Sequence, residues 1–260
     1  MLSIIIPAYK EPYLQKTIDS LLENSRGQIE VIPVLDGYWP DPPLKDDKRV
    51  KVLHLGKTQG MRNAINSGIR ISDGDYLMRS DAHCMFGEGF DEIIISQMKD
   101  NWIVTPRRYF LDPEKWQMID IPPVDYEKLV TQTIGKSKKF TGFPCQNPAG
   151  ENLKIDKTMA MQGSVWFMPK KWWKNVIKEL QTEGYGPLLQ DSHEMVFKTW
   201  QAGGELMVNK NTWFAHKHVG FPRMHQYSTE EAEPCLQYSY EKWKDYYYTE
   251  VKPKWKKYLS

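Results

Sequence analysis

Two polar residues at the end of a short predicted strand have the types and spacing of a metal-binding pair. Residues 73–85 read DGDYLMRSDAHCM: an Asp-Gly turn signal, strand-forming residues, and then Asp81 and His83. Successive strand residues point to opposite faces, so positions 81 and 83 share a face, and a carboxylate oxygen and an imidazole nitrogen can converge on one divalent ion. An isolated pair of this kind is more often part of a turn, so the pair indicates a metal site only if neighbouring segments supply matching groups.

Neighbouring segments supply groups that could bind a nucleoside diphosphate beside such an ion. Asp36 can accept a hydrogen bond from a base, and Tyr9 can stack on or flank the ring. Arg62 and Asn63 open a predicted helix, where positive charge and backbone N–H groups suit phosphate oxygens. Ordinary structural alternatives are a turn role for Asp36, a solvated charge for Arg62 and a packed ring for His83. The chemistry indicated is metal-assisted departure of a nucleoside diphosphate.

The elements that carry these residues alternate between strands and helices. Buried strands are predicted over 2–7 and 28–35, with an amphipathic helix over 13–24 between them. Such a unit favours a parallel sheet with ligands at the carboxyl ends of its strands, where residues 7–11 and Asp36 lie. The same reasoning predicts further strands over 50–55, 76–80 and 102–106 and helices over 59–72 and 90–98.

The chain is predicted to divide into four segments. Residues 1–106 form an α/β half, to which the family resemblance described below assigns nucleotide-sugar binding, and 161–220 form a second half, to which it assigns the acceptor side. Between them, periodicity fades over 107–160, where prolines, glycines and lysines predict a loop-rich insertion. Residues 221–260 are a basic and aromatic tail. The elements predicted in the second half are a strand over 163–168, a helix from Lys170, a helix over 191–201 and short strands over 205–208 and 213–215.

Composition is that of an ordinary globular chain. The 260 residues are 40% hydrophobic and 26% charged, and a formal charge of +2 argues neither for nor against a polyanionic partner. The short apolar start is typical of a buried strand and not of a signal peptide, and no window approaches the roughly 18 apolar residues of a membrane span. The three separated cysteines fit a reducing compartment. We therefore expect a cytoplasmic protein.

Four motifs of the first half carry a family resemblance: LSIIIPAYKE at 2–11, the strand-end Asp36, GMRN at 60–63 and Asp81-x-His83. Together they resemble the nucleotide-sugar half of family 2 type glycosyltransferases with the GT-A fold. The resemblance implies an α/β fold, with one catalytic domain built on a mixed, mostly parallel Rossmann-like sheet flanked by helices. It also implies that Asp81 and His83 bind Mn²⁺ or Mg²⁺. The residues it implies at the nucleotide sugar are Pro7, Ala8, Tyr9, Glu11, Asp36, Gly60, Arg62 and Asn63.

The second half extends the likeness to one group of enzymes. The segments SDAHC at 80–84 and GYGPLLQDSHEMVFKTWQAGG at 184–204 resemble the polypeptide N-acetylgalactosaminyltransferases, in which an acidic pair opens the acceptor-side helix. The resemblance implies that Asp191 and Glu194 are this catalytic pair and that His216 is a third metal ligand, with His218 as the runner-up. Two imidazoles and one carboxylate form a mixed site suited to manganese.

The function implied is metal-dependent transfer of a sugar from a nucleotide-sugar donor, a UDP-sugar, to an acceptor hydroxyl. In an inverting enzyme Asp191 would be the general base, whereas in a retaining enzyme it would orient the acceptor or donor; the sequence leaves both open. The alternative outside catalysis is a silent module that only binds a nucleotide sugar.

The basic and aromatic residues of the tail and the insertion suggest what the acceptor is. The tail over 238–260 interleaves lysines with aromatic residues, and lysines recur in the insertion. This pattern would suit phosphate contacts and stacking on an extruded, hydroxymethylated DNA base. A glycan, or a lipid-linked sugar at an anionic membrane surface, is the alternative acceptor.

Overall fold

A computed structural model describes residues 1–187, 189–217 and 229–259 of the chain. Its strands are β1 Leu2–Ala8, β2 Ile29–Asp36, β3 Leu53–Leu55, β4 Tyr76–Ser80, β5 Cys84–Phe86, β6 Trp102–Asp112, β7 Gln117–Val124, β8 Tyr126–Ile134, β9 Ser137–Cys145, β10 Ile155–Lys157, β11 Val165–Pro169 and β12 Glu205–His216. Its α-helices are α1 Leu14–Asn24, α2 Met61–Arg70, α3 Phe90–Ser96, α4 Lys170–Trp172, α5 Asp191–Gln201, α6 Thr229–Tyr246, α7 Lys252–Lys254 and α8 Lys256–Leu259. Short 3₁₀ and π turns cover Pro148–Gly150, Trp173–Ile177 and Tyr247–Val251.

The central sheet has the strand order β10-β12-β6-β11-β4-β1-β2-β3, with β5 paired to β12 and β7 to β6. Strands β4, β1, β2 and β3 run parallel, and β11 joins them antiparallel to β4. The α/β fold class predicted from the sequence, a mixed sheet flanked by helices as in the GT-A fold, is confirmed.

Apolar runs explain why the first strands occupy the centre of this sheet. On β1, Ile5 packs into the core on one face, while Ile4 and Ile6 pack into the core on the other. This alternation is the period of two that a strand requires. Because helices cover both faces, the strand is apolar throughout, and each such buried side chain contributes about 1.5–3 kcal/mol. The carboxyl ends of β1, β2 and β4 consequently lie at one edge of the sheet.

The prediction of loops over 107–160 is wrong. Strand β6 continues to Asp112 and is followed by β7, β8 and β9, with β8 and β9 forming a separate two-stranded hairpin. Leu129 and Phe140 anchor this hairpin in the main core, at 0% and 1% exposure. The outer segment boundaries at 106, 160 and 220 stay predictions.

Most of the aromatic residues of the tail pack into the core, whereas Tyr248 is 40% exposed. Tyr240, Trp243, Tyr247 and Trp255 of the C-terminal helical segment are all under 9% exposed and pack with residues of α5 and the β8–β9 hairpin. Tyr247 donates a hydrogen bond to the carbonyl of Leu129 at 2.8 Å. The tail within 229–259 is therefore an integral helical layer and not an exposed aromatic patch.

Two smaller predictions also change. The two short strands expected over 205–215 are one strand, β12, with a bulge between Asn209 and Trp213. The helix expected from Lys170 makes a single α turn and continues as a π turn to Ile177. None of the helices in the described part of the chain combines the length and the apolar character needed to cross a membrane.

Candidate metal centre and cleft

A cleft of about 560 Å³ opens at the carboxyl ends of β1, β2 and β4 and is closed on the far side by the start of α5. Strand ends and the turn before α2 form its floor, so side chains distant in sequence meet there. The predicted site residues that line it are Pro7, Ala8, Tyr9, Glu11, Asp36, Gly60, Asp81, His83, Asp191 and His216. The predicted residues Arg62, Asn63 and Glu194 are not part of its lining.

Three of the lining residues form a cluster with the geometry of a metal site. Asp81 follows β4, His83 precedes β5 and His216 ends β12, and antiparallel pairing of β5 with β12 brings the two histidines together. Nε2 of His216 lies 3.1 Å from Oδ2 of Asp81, and Nε2 of His83 lies 3.9 Å from the same oxygen. One ligand atom from each residue lies within 4.8 Å of the others. His218, the alternative to His216, lies outside the described residues.

Arg79 fixes the carboxylate of this cluster. It lies on the same face of β4 as Asp81 and is 3% exposed, and its guanidinium donates to Oδ1 of Asp81 at 2.6 Å. Burial alone would raise the pKa of Asp81, but Arg79 and the imidazoles of His83 and His216 hold that pKa well below its usual range. Asp81 is therefore ionised at neutral pH, with Oδ1 engaged by Arg79 and Oδ2 facing the two histidines.

Asp36 organises the opposite end of the cleft. Its two carboxylate oxygens accept hydrogen bonds from the backbone N–H groups of Gln59 at 2.6 Å and Gly60 at 2.8 Å. Gly60 has a φ of +85°, and a Cβ there would lie 2.5 Å from Cβ of Pro187. Only glycine fits this turn, which joins β3 to the start of α2 and is held against the end of β2 by Asp36. A carboxylate offers about four acceptor positions, so Asp36 keeps capacity for one more donor.

Asp191 begins α5 and faces the cleft from the side opposite the parallel strands. The residue is 7% exposed, and its Oδ2 is buried without a hydrogen-bond partner among the described residues. Gln190 before it has a φ of +60° and is held by the carbonyl of Phe140 at 3.4 Å and the hydroxyl of Ser239 at 3.0 Å. A buried carboxylate oxygen without a donor is costly, which is a feature of functional sites more than of structural ones.

Comparison with known proteins identifies the family of this chain. A model of the family "Glycosyl transferase family 2" matches residues 3–149 of the 260. The chain belongs to this family. It is 38% identical over 85 residues to the uncharacterized glycosyltransferase EpsJ of Bacillus subtilis, a match that covers 30% of this chain and 24% of that protein. It is 23% identical over 262 residues to mouse polypeptide N-acetylgalactosaminyltransferase 4, covering 94% of this chain and 44% of that protein.

The structural likeness agrees with the family assignment. The chain superimposes on a crystal structure of GalNAc-T7 with UDP, GalNAc and Mn²⁺ at a TM-score of 0.71, with 17% identity, over 84% of this chain and 44% of that one. At that identity the likeness shows the fold. The chain spans less than half the length of these three proteins. The resemblance to family 2 and to the N-acetylgalactosaminyltransferases, predicted from the sequence motifs, is confirmed.

Arg62 and Glu194, both predicted as site residues, lie outside the lining of the cleft. Arg62 and Glu194 form an ion pair in which both side chains are 0% exposed, through Nη2 and Oε2. Nε and Nη1 of Arg62 donate to the carbonyls of Gln181 and Leu189, each at 2.8 Å. The other oxygen of Glu194 lies 2.6 Å from Nζ of Lys198. These contacts occupy the polar groups of both residues, and neither side chain lines the cleft.

Sequence reasoning missed two residues that support the site. Arg79 had a detectable signal, because a charged residue inside a short buried strand, two positions before Asp81, must have a partner on the same face. Gln190 had none, since a left-handed backbone at a non-glycine residue follows from the tertiary contacts with β9 and α6.

Proposed function

We propose that the chain is a metal-dependent glycosyltransferase that transfers a sugar from a UDP-sugar donor to an acceptor hydroxyl. The observation that carries this proposal is the cluster of Asp81, His83 and His216 at the floor of a cleft that Asp191 faces from the other side. A family 2 domain and a fold shared with a protein crystallised with UDP and Mn²⁺ support it.

The donor set fits a first-row divalent ion. One carboxylate oxygen of Asp81 and one nitrogen each from His83 and His216 would hold it. This mixed set of ligands suits Mn²⁺ better than Mg²⁺, because Mg²⁺ prefers oxygen ligands alone. When bound, the ion would supply positive charge to the departing diphosphate. The nearby guanidinium of Arg79 offsets the charge of Asp81, which leaves the ion's charge available to the donor.

The donor's nucleoside would lie at the ends of β1 and β2. Asp36 retains acceptor capacity for an N–H of the base, and Tyr9 with Pro7 and Ala8 forms the adjoining wall. Gly60 keeps the turn before α2 close to this wall. Asn63 lies in the first turn of α2, where its side-chain amide donates to the carbonyl of Gln59 at 2.9 Å, so its contribution is to hold the turn before the helix.

Asp191 is the carboxylate placed to act on the acceptor. Its unpartnered Oδ2 can accept the proton of an acceptor hydroxyl in an inverting reaction, or a hydrogen bond from acceptor or donor in a retaining one. The anomeric configuration of the product, read by NMR, separates these two roles.

The acceptor we favour is a saccharide hydroxyl, free or lipid-linked. The prediction of a hydroxymethylated DNA base rested on stacking by the aromatic tail, and Trp243, Tyr247 and Trp255 are buried in the core. Exposed lysines alone contact polyanions of any kind. DNA containing hydroxymethylcytosine therefore remains as one arm of the acceptor test.

The test is release of UDP from a panel of UDP-sugars with Mn²⁺, with and without saccharide or hydroxymethylcytosine DNA acceptors. Wild-type protein is expected to turn over one donor, and Asp191→Asn to lose at least ~100-fold of the transfer rate. Asp120→Asn, which alters an exposed carboxylate on β7, is the matched control and is expected to keep full activity. Tight UDP binding without turnover of any donor would instead show a silent binding module.

A further inference from the structure

Glu11 contacts His83 at the ring nitrogen that does not face Asp81. Its Oε2 lies 3.3 Å from Nδ1 of His83, while Nε2 of the same ring faces Oδ2 of Asp81 at 3.9 Å. The imidazole of His83 thus lies between the carboxylates of Glu11 and Asp81. The two residues are 72 positions apart, so the contact is tertiary and not the result of a local turn.

The backbone around Glu11 is built to direct it there. Lys10 has a φ of +51°, a left-handed conformation that turns the chain directly after β1. Pro12 follows and disfavours the helical region for Glu11, so α1 cannot begin before it. The contact is sheltered, since the side chains of Glu11 and His83 are 23% and 8% exposed. Glu11 lies at the cleft wall, where the sequence predicted a contact with the donor.

A histidine that binds a metal through one nitrogen commonly donates its other N–H to a carboxylate, which fixes the tautomer and the orientation of the ring. We propose that Glu11 is a positioning residue of the metal centre: it accepts the Nδ1–H of His83 and thereby presents Nε2 to the ion beside Asp81 and His216. The proposal rests on the proposed function only in requiring that the cluster bind a divalent cation.

Arg79 and Glu11 then have the same role: each orients one of the predicted metal ligands. Arg79 engages Oδ1 of Asp81 and leaves Oδ2 toward the cluster, and Glu11 engages Nδ1 of His83 and leaves Nε2 toward it. Because both ligands are oriented before an ion arrives, less side-chain freedom is lost on binding.

The experiment is calorimetric titration of nucleotide-free protein with Mn²⁺. Glu11→Ala is expected to weaken Mn²⁺ binding about 10- to 100-fold. Glu11→Gln is expected to lose less, because the amide oxygen still accepts the Nδ1–H bond. Glu23→Ala removes an equal charge from the exposed face of α1 and is expected to bind Mn²⁺ as the wild type does. Thermal unfolding confirms that each variant is folded.

A second measurement reports the tautomer without any metal. In ¹⁵N-labelled protein, the His83 ring is expected to show Nδ1–H in the wild type and in Glu11→Gln, and a mixture of tautomers in Glu11→Ala.

The outcomes separate the two proposals. The positioning role would be overturned if Glu11→Ala kept its Mn²⁺ affinity and its His83 tautomer and lost only UDP affinity. Glu11 would then be a residue that contacts the donor. Absence of Mn²⁺ binding by the wild-type protein would overturn the metal-dependent function itself.

Discussion

Replacing Glu194 by alanine tests whether this residue stabilises the fold or takes part in catalysis. The substitution leaves the guanidinium of Arg62 buried at 0% exposure without its ion-pair partner and removes the ion-pair partner of Lys198. Breaking a buried ion pair in this way costs about 3–5 kcal/mol. With an unfolding entropy of about 2.1 cal/mol/K per residue, the 260 residues give about 0.55 kcal/mol/K, so that Tm should fall by about 5–9 °C.

The assay is differential scanning calorimetry alongside the rate of UDP release. Glu179→Ala is the matched control, because its ion pair with Arg70 is more than half exposed on both sides and should contribute at most about 1 kcal/mol. Glu194→Leu combined with Arg62→Met should recover most of the lost stability, since an apolar pair of similar volume carries no desolvation cost. A Glu194→Ala protein with unchanged Tm and abolished turnover would refute this reasoning and restore the catalytic role predicted from the sequence.

Three further perturbations address the turn, the cleft and the tail. Gly60→Ala should lower both Tm and UDP affinity, because φ is +85° and the new Cβ would meet Pro187; unchanged values in calorimetry and titration would contradict this. Burial lowers the pKa of His193 to about 4, so protonation favours the unfolded chain and stability should be lost as pH falls from about 6.5 to 4. His193→Gln should remove up to about 2 kcal/mol of the stability difference between pH 7 and pH 5 in urea titrations. Trp243→Ala, which removes a ring stacked 5.0 Å from Phe197, should cost about 3–5 kcal/mol, whereas an exposed tail would show almost no change.

The centre of the fold could be predicted because its strands are apolar on both faces. The short, β-branched run of Ile4, Ile5 and Ile6 favours a buried strand, and the strand–helix–strand order then places the carboxyl ends at one edge. The spacing of Asp81 and His83 put both on one face, and the structure places His216 beside them. Their role as ligands stays a prediction.

The strands β7, β8 and β9 could not be predicted, because few of their side chains are buried. Strand β7 is exposed along most of its length, so no alternation of polar and apolar residues marks it. Strands β8 and β9 are fixed mainly through Leu129 and Phe140 against helices that come about 100 residues later in the chain. A strand whose burial depends on so distant a partner has no local pattern.

The buried pair of Arg62 and Glu194 shows the same limit for charged residues. The type and position of each, at the start of a helix beside the cleft, were compatible with a ligand contact. Only the tertiary structure shows that the two side chains, 132 residues apart, face each other and not the cleft.

The most direct test of the metal-dependent function is release of UDP from a UDP-sugar as a function of Mn²⁺ concentration, for the wild type and for Asp81→Ala. Removing Asp81 eliminates the only oxygen ligand of the cluster in the described part of the chain. We predict turnover that requires the ion, stops with chelator, and falls by at least ~1,000-fold in Asp81→Ala. Equal turnover with chelator, or an Asp81→Ala protein as active as the wild type, would contradict the account.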